Sequence, residues 1–166
     1  MREINEIILH CSATKESQYV TVDDIRRWHK QKGYTDIGYN WVIDRNGYLC
    51  KGRDINQVPA HCLGHNKNSI GICYIGGLDS KGKSKDTRTD EQKKTMYQIV
   101  RELMSTYKLT LEQVHCHNEY AVKDCPCFKI EQFRQEYIDW EKNQQDLLGQ
   151  SKEIICPHCN KPIKIV

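Results

Sequence analysis

The sequence predicts an α/β (α+β) domain, a mixed β-sheet flanked by helices, with a short Cys-x-x-Cys appendage at its C-terminus. Three observations carry this. Short apolar runs rich in branched residues alternate with segments of helical periodicity, the pattern of strands interleaved with helices. An Asn46-Gly47 pair between two strand-like runs calls for an antiparallel hairpin, which forbids an all-parallel sheet. The 166 residues suffice for one ordinary domain with its own core and are cramped for two.

Glu6-Ile7-Ile8-Leu9-His10-Cys11, closed by Ser12, reads as a buried strand that delivers His10 at its C-terminal end. Thr21 and Asp24 have the spacing of a helix cap, and Val22, Ile25, Trp28 and His29 follow at helical spacing until Gly33. Tyr39 opens a strand through Asp44 that pairs, around Asn46-Gly47, with Tyr48 to Lys51. Ser69 to Ile75 is a second buried strand, ended by Gly76-Gly77 and a polar loop from Asp79 through Lys85. Thr89 and Gln92 cap a second helix with Met96, Val100, Leu103 and Tyr107 on one face, and Val114 to His117 reads as a short strand end. A third helix from Lys129 towards Lys142 turns Ile130, Phe133, Tyr137 and Trp140 inward. The expected division is a main domain over 1–142, a polar linker over 143–152 and a tail over 153–166.

Composition excludes several functions. The formal net charge is +3 with basic residues scattered among acidic ones, so no nucleic-acid partner is expected. No stretch approaches the roughly 20 apolar residues of a membrane span, so no membrane partner is expected either. The segment Met1 to Glu6 lacks the apolar core of a secretory signal, and the chain is expected to be synthesised in the cytoplasm and to act as a monomer. Nine cysteines, an odd number, cannot all be consumed by internal disulfides; reduced thiols and metal ligation account for them better. Cys62 and Cys73 lie among apolar or small residues and read as small hydrophobes.

Two imidazoles and a thiolate, His10, His117 and Cys125, form the chemically informative set. His117 and Cys125 are eight apart with Pro126 behind the cysteine and no helical periodicity between them, which suits a loop that folds back so that both side chains converge. A thiolate favours zinc over magnesium or calcium, and three protein ligands leave a fourth tetrahedral position for chemistry. His115 is a rival for His117, and Cys127 for Cys125. Lys123 has two readings, a solvated surface lysine or a cation that holds charge developing on a substrate oxygen. Tyr39 likewise has two, a ring packed in a strand or a hydroxyl that hydrogen-bonds water or an oxyanion.

Ile8-Leu9-His10-Cys11-Ser12-Ala13-Thr14, Ile37-Gly38-Tyr39-Asn40, Asn68-Ser69-Ile70-Gly71-Ile72 and Lys123-Asp124-Cys125-Pro126 closely resemble the zinc-dependent N-acetylmuramoyl-L-alanine amidases of the T-odd bacteriophage type, whose fold peptidoglycan recognition proteins share. The likeness runs from about Glu6 to Tyr137, through several separated motifs in the same order. It implies a mixed sheet with a zinc cleft on one face. It also implies His10, His117 and Cys125 as zinc ligands, Tyr39 and Lys123 as catalytic side chains, and His61 and Asn68 as substrate-cleft positions. The implied reaction is hydrolysis of the amide between the lactyl group of N-acetylmuramic acid and the L-alanine of the stem peptide. The implied partner is therefore peptidoglycan, and the implied setting is a phage or prophage endolysin reaching the wall by holin-type release. Binding-only relatives typically lose a ligand, whereas all five positions are present here.

Residues 153–166 fall outside that pattern. Cys156-Pro157-His158-Cys159 has three readings: half of a zinc site completed by another chain, a redox pair, or a vestigial tail without metal.

Overall fold

The computed structural model describes residues 2–150, 153–155 and 162–164. The chain divides into two compact units, Met1–Ile130 and Glu131–Val166.

The first unit is built on a five-stranded sheet. Its strands are β1 (Glu6–Cys11), β3 (Trp41–Ile43), β4 (Leu49–Lys51), β5 (Ser69–Tyr74) and β7 (Val114–Cys116), in the order β4-β3-β5-β1-β7. A separate parallel pair is made by β2 (Thr14–Lys15) and β6 (Gly77–Leu78). In the main sheet β3, β5, β1 and β7 are parallel, and only the edge strand β4 runs against its neighbour. The sheet is thus mixed, for the reason the sequence offered: β3 and β4 are joined by a hairpin, while the parallel strands need longer crossovers. β1 and β5, two of the three interior strands, are buried along nearly their whole length.

The hairpin turn differs in detail from a two-residue Asn-Gly turn. Five residues, Asp44 to Tyr48, connect the strands, and the Asp44 carboxylate accepts from the backbone N–H groups of Asn46 at 2.9 Å and Tyr48 at 2.8 Å. Gly47 alone in this turn takes a positive φ, 85°, and a Cβ there would meet Glu91 at 2.7 Å. The aspartate side chain therefore organises the turn, and glycine serves both conformation and close approach.

Helix α1 (Val22–Gln31) begins with the predicted capping box, Thr21 with Asp24. Its buried Ile25 joins Val20, Ile37, Val42, Cys73 and Ile75 in one apolar cluster. Paired residues of neighbouring strands point to the same side, so His10, Cys73 and Val42 share the face that α1 helps to cover. Alternation sends Ile7, Leu9, Ile70 and Ile72 to the opposite face.

Helix α2 (Asp90–Tyr107) starts at Thr89, again with a capping box. Its N3 residue does more than cap: Gln92 is fully buried, and its amide donates to the carbonyls of Ile43 at 3.2 Å and Ile75 at 3.0 Å. One side chain thus fastens the helix start to the ends of two neighbouring segments. Gln92→Ala is expected to destabilise the protein by about 1–3 kcal/mol, read as a lower urea midpoint, because two buried hydrogen bonds disappear together. An unchanged midpoint would show that these bonds carry no net stability.

The second unit contains α3 (Ile130–Gln150) and the antiparallel pair β8 (Glu153–Ile155) and β9 (Pro162–Lys164). Phe133 and Tyr137 are buried and stack at 6.3 Å, and Tyr137 lies 5.8 Å from the Trp140 ring. α3 runs through 143–150, which the sequence reading assigned to a linker. Glutamine, aspartate and leucine are as compatible with a solvated helix as with a coil, so polarity alone does not separate the two. The Cys156–Cys159 motif lies outside the described residues.

Candidate functional site

The site lies at the carboxyl ends of the parallel strands. β1 ends in His10-Cys11, and the pairing of Leu9 with Cys116 brings His117, the first residue after β7, beside His10; their ring centroids are 4.5 Å apart. A loop then carries the chain back. It is held by the Tyr74 hydroxyl donating to the Pro126 carbonyl at 2.8 Å and by the Asn118 amide donating to the Phe128 carbonyl at 3.1 Å. Returned in this way, Cys125 Sγ lies 3.7 Å from His10 Nδ1 and accepts the backbone N–H of Cys11 at 3.3 Å.

One ligand atom from each of His10, His117 and Cys125 lies within 4.8 Å of the others. The 3.7 Å N–S separation is about the edge of a tetrahedron whose centre is ~2.0 Å from nitrogen and ~2.3 Å from sulfur. Burial, reinforced by the neighbouring His61, His117 and Lys123, holds the His10 pKa well below the ordinary histidine value; burial and then Lys123 lower that of His117. Both rings are thereby kept neutral, the form that offers a lone pair to a metal. The donor set fits zinc.

The two rival ligands face elsewhere. His115 Nδ1 lies 3.4 Å from Glu119 Oε1, and Cys127 Sγ lies 3.7 Å from Cys11 Sγ and donates to the Gly77 carbonyl at 3.1 Å. Cys62 and Cys73 are buried, as small hydrophobes should be.

A cavity of about 500 Å³ opens beside the cluster, its lining including Tyr34, His61, Asn66, His117, Tyr120 and Lys123. Lys123 is exposed and is among the residues that line this cavity. The Tyr39 ring sits 5.2 Å from that of His10 and 5.4 Å from that of His29. Burial, then the nearby thiols, push the Tyr39 pKa well above the ordinary phenol value, so its hydroxyl stays protonated and can donate. His61 lines the cavity, but its Nδ1 is also 2.9 Å from His10 Nε2; burial first, then surrounding cationic groups, lower its pKa to about 3.

Asn68 is not brought to this cavity. Its amide donates to the Glu3 carbonyl at 3.0 Å, and Asn66, at the other end of the same 3₁₀ turn, is the asparagine that lines the cleft. Asn66 Oδ1 accepts from the backbone N–H groups of His61 at 2.8 Å and Cys62 at 2.9 Å. Tyr120 went unnoticed in the sequence. Its hydroxyl donates to Glu6 Oε2 at 2.8 Å, His65 Nδ1 lies 2.8 Å from Glu6 Oε1, and the His65 ring stacks on Tyr120 at 3.8 Å. Its place between His117 and Lys123 was the one available signal.

Two neutral imidazoles and a thiol converging at the edge of an open cleft define a site of the metallohydrolase kind. Residues 1–128 match the family model described as N-acetylmuramoyl-L-alanine amidase. The endolysin of Escherichia phage T7 is 41% identical over 138 residues, spanning 83% of this chain and 86% of that protein. The endolysin of Klebsiella phage KP32 is 37% identical over 143 residues, 86% of this chain and 89% of that one. Among solved structures, the amidase LysC of Clostridium intestinale superposes with a TM-score of 0.70 at 26% identity, covering 81% of this chain and 85% of that chain. Drosophila PGRP-LB shares the fold at a TM-score of 0.64 and 21% identity, covering 76% of each chain. The chain belongs to the N-acetylmuramoyl-L-alanine amidase family.

Proposed function

We propose that this chain is a zinc-dependent endolysin that hydrolyses the amide joining the lactyl group of N-acetylmuramic acid to the L-alanine of the peptidoglycan stem peptide. The observation that carries the reading is the cluster of His10, His117 and Cys125 beside a cleft that Lys123 lines. Family membership and the phage endolysins among its relatives supply the reaction class and setting. Among the described residues, no helix is long and apolar enough to cross a membrane, and release through a lesion made by a separate protein is the proposed route to the wall.

In this reading His10, His117 and Cys125 hold the metal. Zinc so held would supply Lewis acidity, shifting water towards its deprotonated form near neutral pH and polarising the scissile carbonyl. Lys123 places a cation where the carbonyl oxygen gains negative charge. Tyr39, protonated and half-buried beside His10, donates a hydrogen bond that orients the attacking water or the same oxygen. Tyr120, fixed by Glu6 and His65, forms a rigid wall against which the muropeptide lies.

A non-catalytic muropeptide-binding module is the alternative, and the complete donor set together with Tyr39 and Lys123 favours hydrolysis. The deciding experiment measures new amino groups released from purified peptidoglycan by the parent protein, by protein treated with a zinc chelator, and after zinc is restored. Chelator-sensitive release rescued by zinc is expected. Stoichiometric zinc and muropeptide binding without new amine would make the protein a recognition module.

A further inference from the structure

A histidine that binds a metal through one nitrogen must carry its proton on the other, and the partner of that second nitrogen decides which way the ring faces. His10 presents Nδ1 to Cys125 Sγ, at 3.7 Å, so the lone pair for the metal belongs on Nδ1 and the proton on Nε2. His10 Nε2 meets His61 Nδ1 at 2.9 Å. His61 must then accept at Nδ1, which for a neutral ring puts its own proton on Nε2, and that atom lies 3.1 Å from Ser69 Oγ. The three side chains form one directed relay: His10 Nε2–H donates to His61 Nδ1, and His61 Nε2–H donates to Ser69 Oγ. We infer that His61 is a positioning residue, one that fixes the orientation and tautomer of His10 and thereby presets the metal site.

The surroundings are shaped for this ring. Ser69 is buried at the start of β5, and His61 is anchored through its own backbone N–H by Asn66 Oδ1 at 2.8 Å. Gly71 points to the same sheet face as Ser69, and a Cβ at Gly71 would lie 2.6 Å from His61 Cδ2, so glycine there leaves the space that the imidazole occupies. The His61 and His10 rings meet edge to face, 81° between planes and 4.8 Å between centroids, the relation that points one ring nitrogen at the other. A residue that merely touched substrate would need none of these constraints on its inner edge.

The inference rests on His10 being a metal ligand, as proposed above, and the test separates the two. Zinc affinity is measured by competition with a chromophoric chelator for the parent, His10→Ala, His61→Leu, His61→Asn and Ser69→Ala, alongside kcat and KM. His61→Leu is expected to weaken zinc binding about 10–100-fold and to lower kcat more than it raises KM. His61→Asn, whose amide oxygen can sit near the lost Nδ1, is expected to recover most of the zinc affinity. Ser69→Ala is expected to lose several-fold, by the same outer-sphere effect weakened by distance. In the metal-free parent, long-range proton–nitrogen spectra are expected to show both His10 and His61 as Nε2–H tautomers. Unchanged zinc affinity in His61→Leu with a raised KM would overturn the inference and return His61 to substrate contact. Either ring appearing as the Nδ1–H tautomer would also overturn it. Unchanged zinc affinity in His10→Ala would instead remove the ligand reading on which it stands.

Discussion

Cys125→Ala is expected to abolish amidase activity and to lose bound zinc, lowering zinc affinity by more than ~10²-fold, beyond the 10–100-fold typical of outer-sphere losses. The side chain sits on a returning loop and is half-buried, so its removal opens no large core cavity, and the fold should persist. Two imidazoles alone would remain, a set too small to retain zinc against a chelator. Replacement by the neighbouring thiol is blocked by geometry: Cys127 directs its sulfur towards Cys11 and the Gly77 carbonyl. Cys127→Ser should accordingly keep both zinc and turnover. Metal analysis after gel filtration, combined with circular dichroism and amine release, checks all three points. Zinc retained by Cys125→Ala and lost by Cys127→Ser would reassign the thiolate.

What the sequence made legible follows from how local its signals are. The strand Glu6–Cys11 and the capping boxes at Thr21 and Thr89 are written in a few consecutive residues, and the structure contains each of them. His10 at a strand end and His117 with Cys125 in one loop are likewise short patterns, to which the family resemblance added a chemistry. Features that depend on distant partners were not legible. Glu6 and Tyr120 are 114 positions apart, and nothing local announces that a strand-opening glutamate orients a cleft tyrosine. Asn66 and Asn68 differ only by their place in one 3₁₀ turn, a rotation that spacing cannot resolve. Helix α3 continues through the polar stretch after Lys142, where a solvated helix and an irregular connection have the same composition. The resemblance placed His61 in the cleft, but not against His10 with its outer nitrogen on Ser69; that arrangement depends on the missing Cβ of Gly71.

Lys123→Ala is expected to lower kcat by about 10²–10³-fold, the cost of removing one donor to a developing oxyanion, while zinc content and fold stay unchanged. The exposed side chain makes this separation possible, since nothing in the core depends on it. Tyr39→Phe should also retain zinc and lose about 10²-fold or more in kcat, because phenylalanine preserves the ring beside His10 and His29 and deletes only the hydroxyl. The two variants should differ in rescue. Lys123→Arg keeps the cation and should recover part of the loss, whereas no natural residue restores a phenolic donor at position 39. Tyr39→Phe should also leave the pH profile around neutrality with its parental shape, since the raised pKa keeps the Tyr39 phenol protonated there. If Tyr39→Phe shifted the basic limb of kcat towards lower pH, the hydroxyl would be setting the ionisation of the attacking water as well as orienting it. If instead Lys123→Ala raised KM at constant kcat, Lys123 would be binding substrate and transition state alike, and the charge on the carbonyl oxygen would need another source of stabilisation.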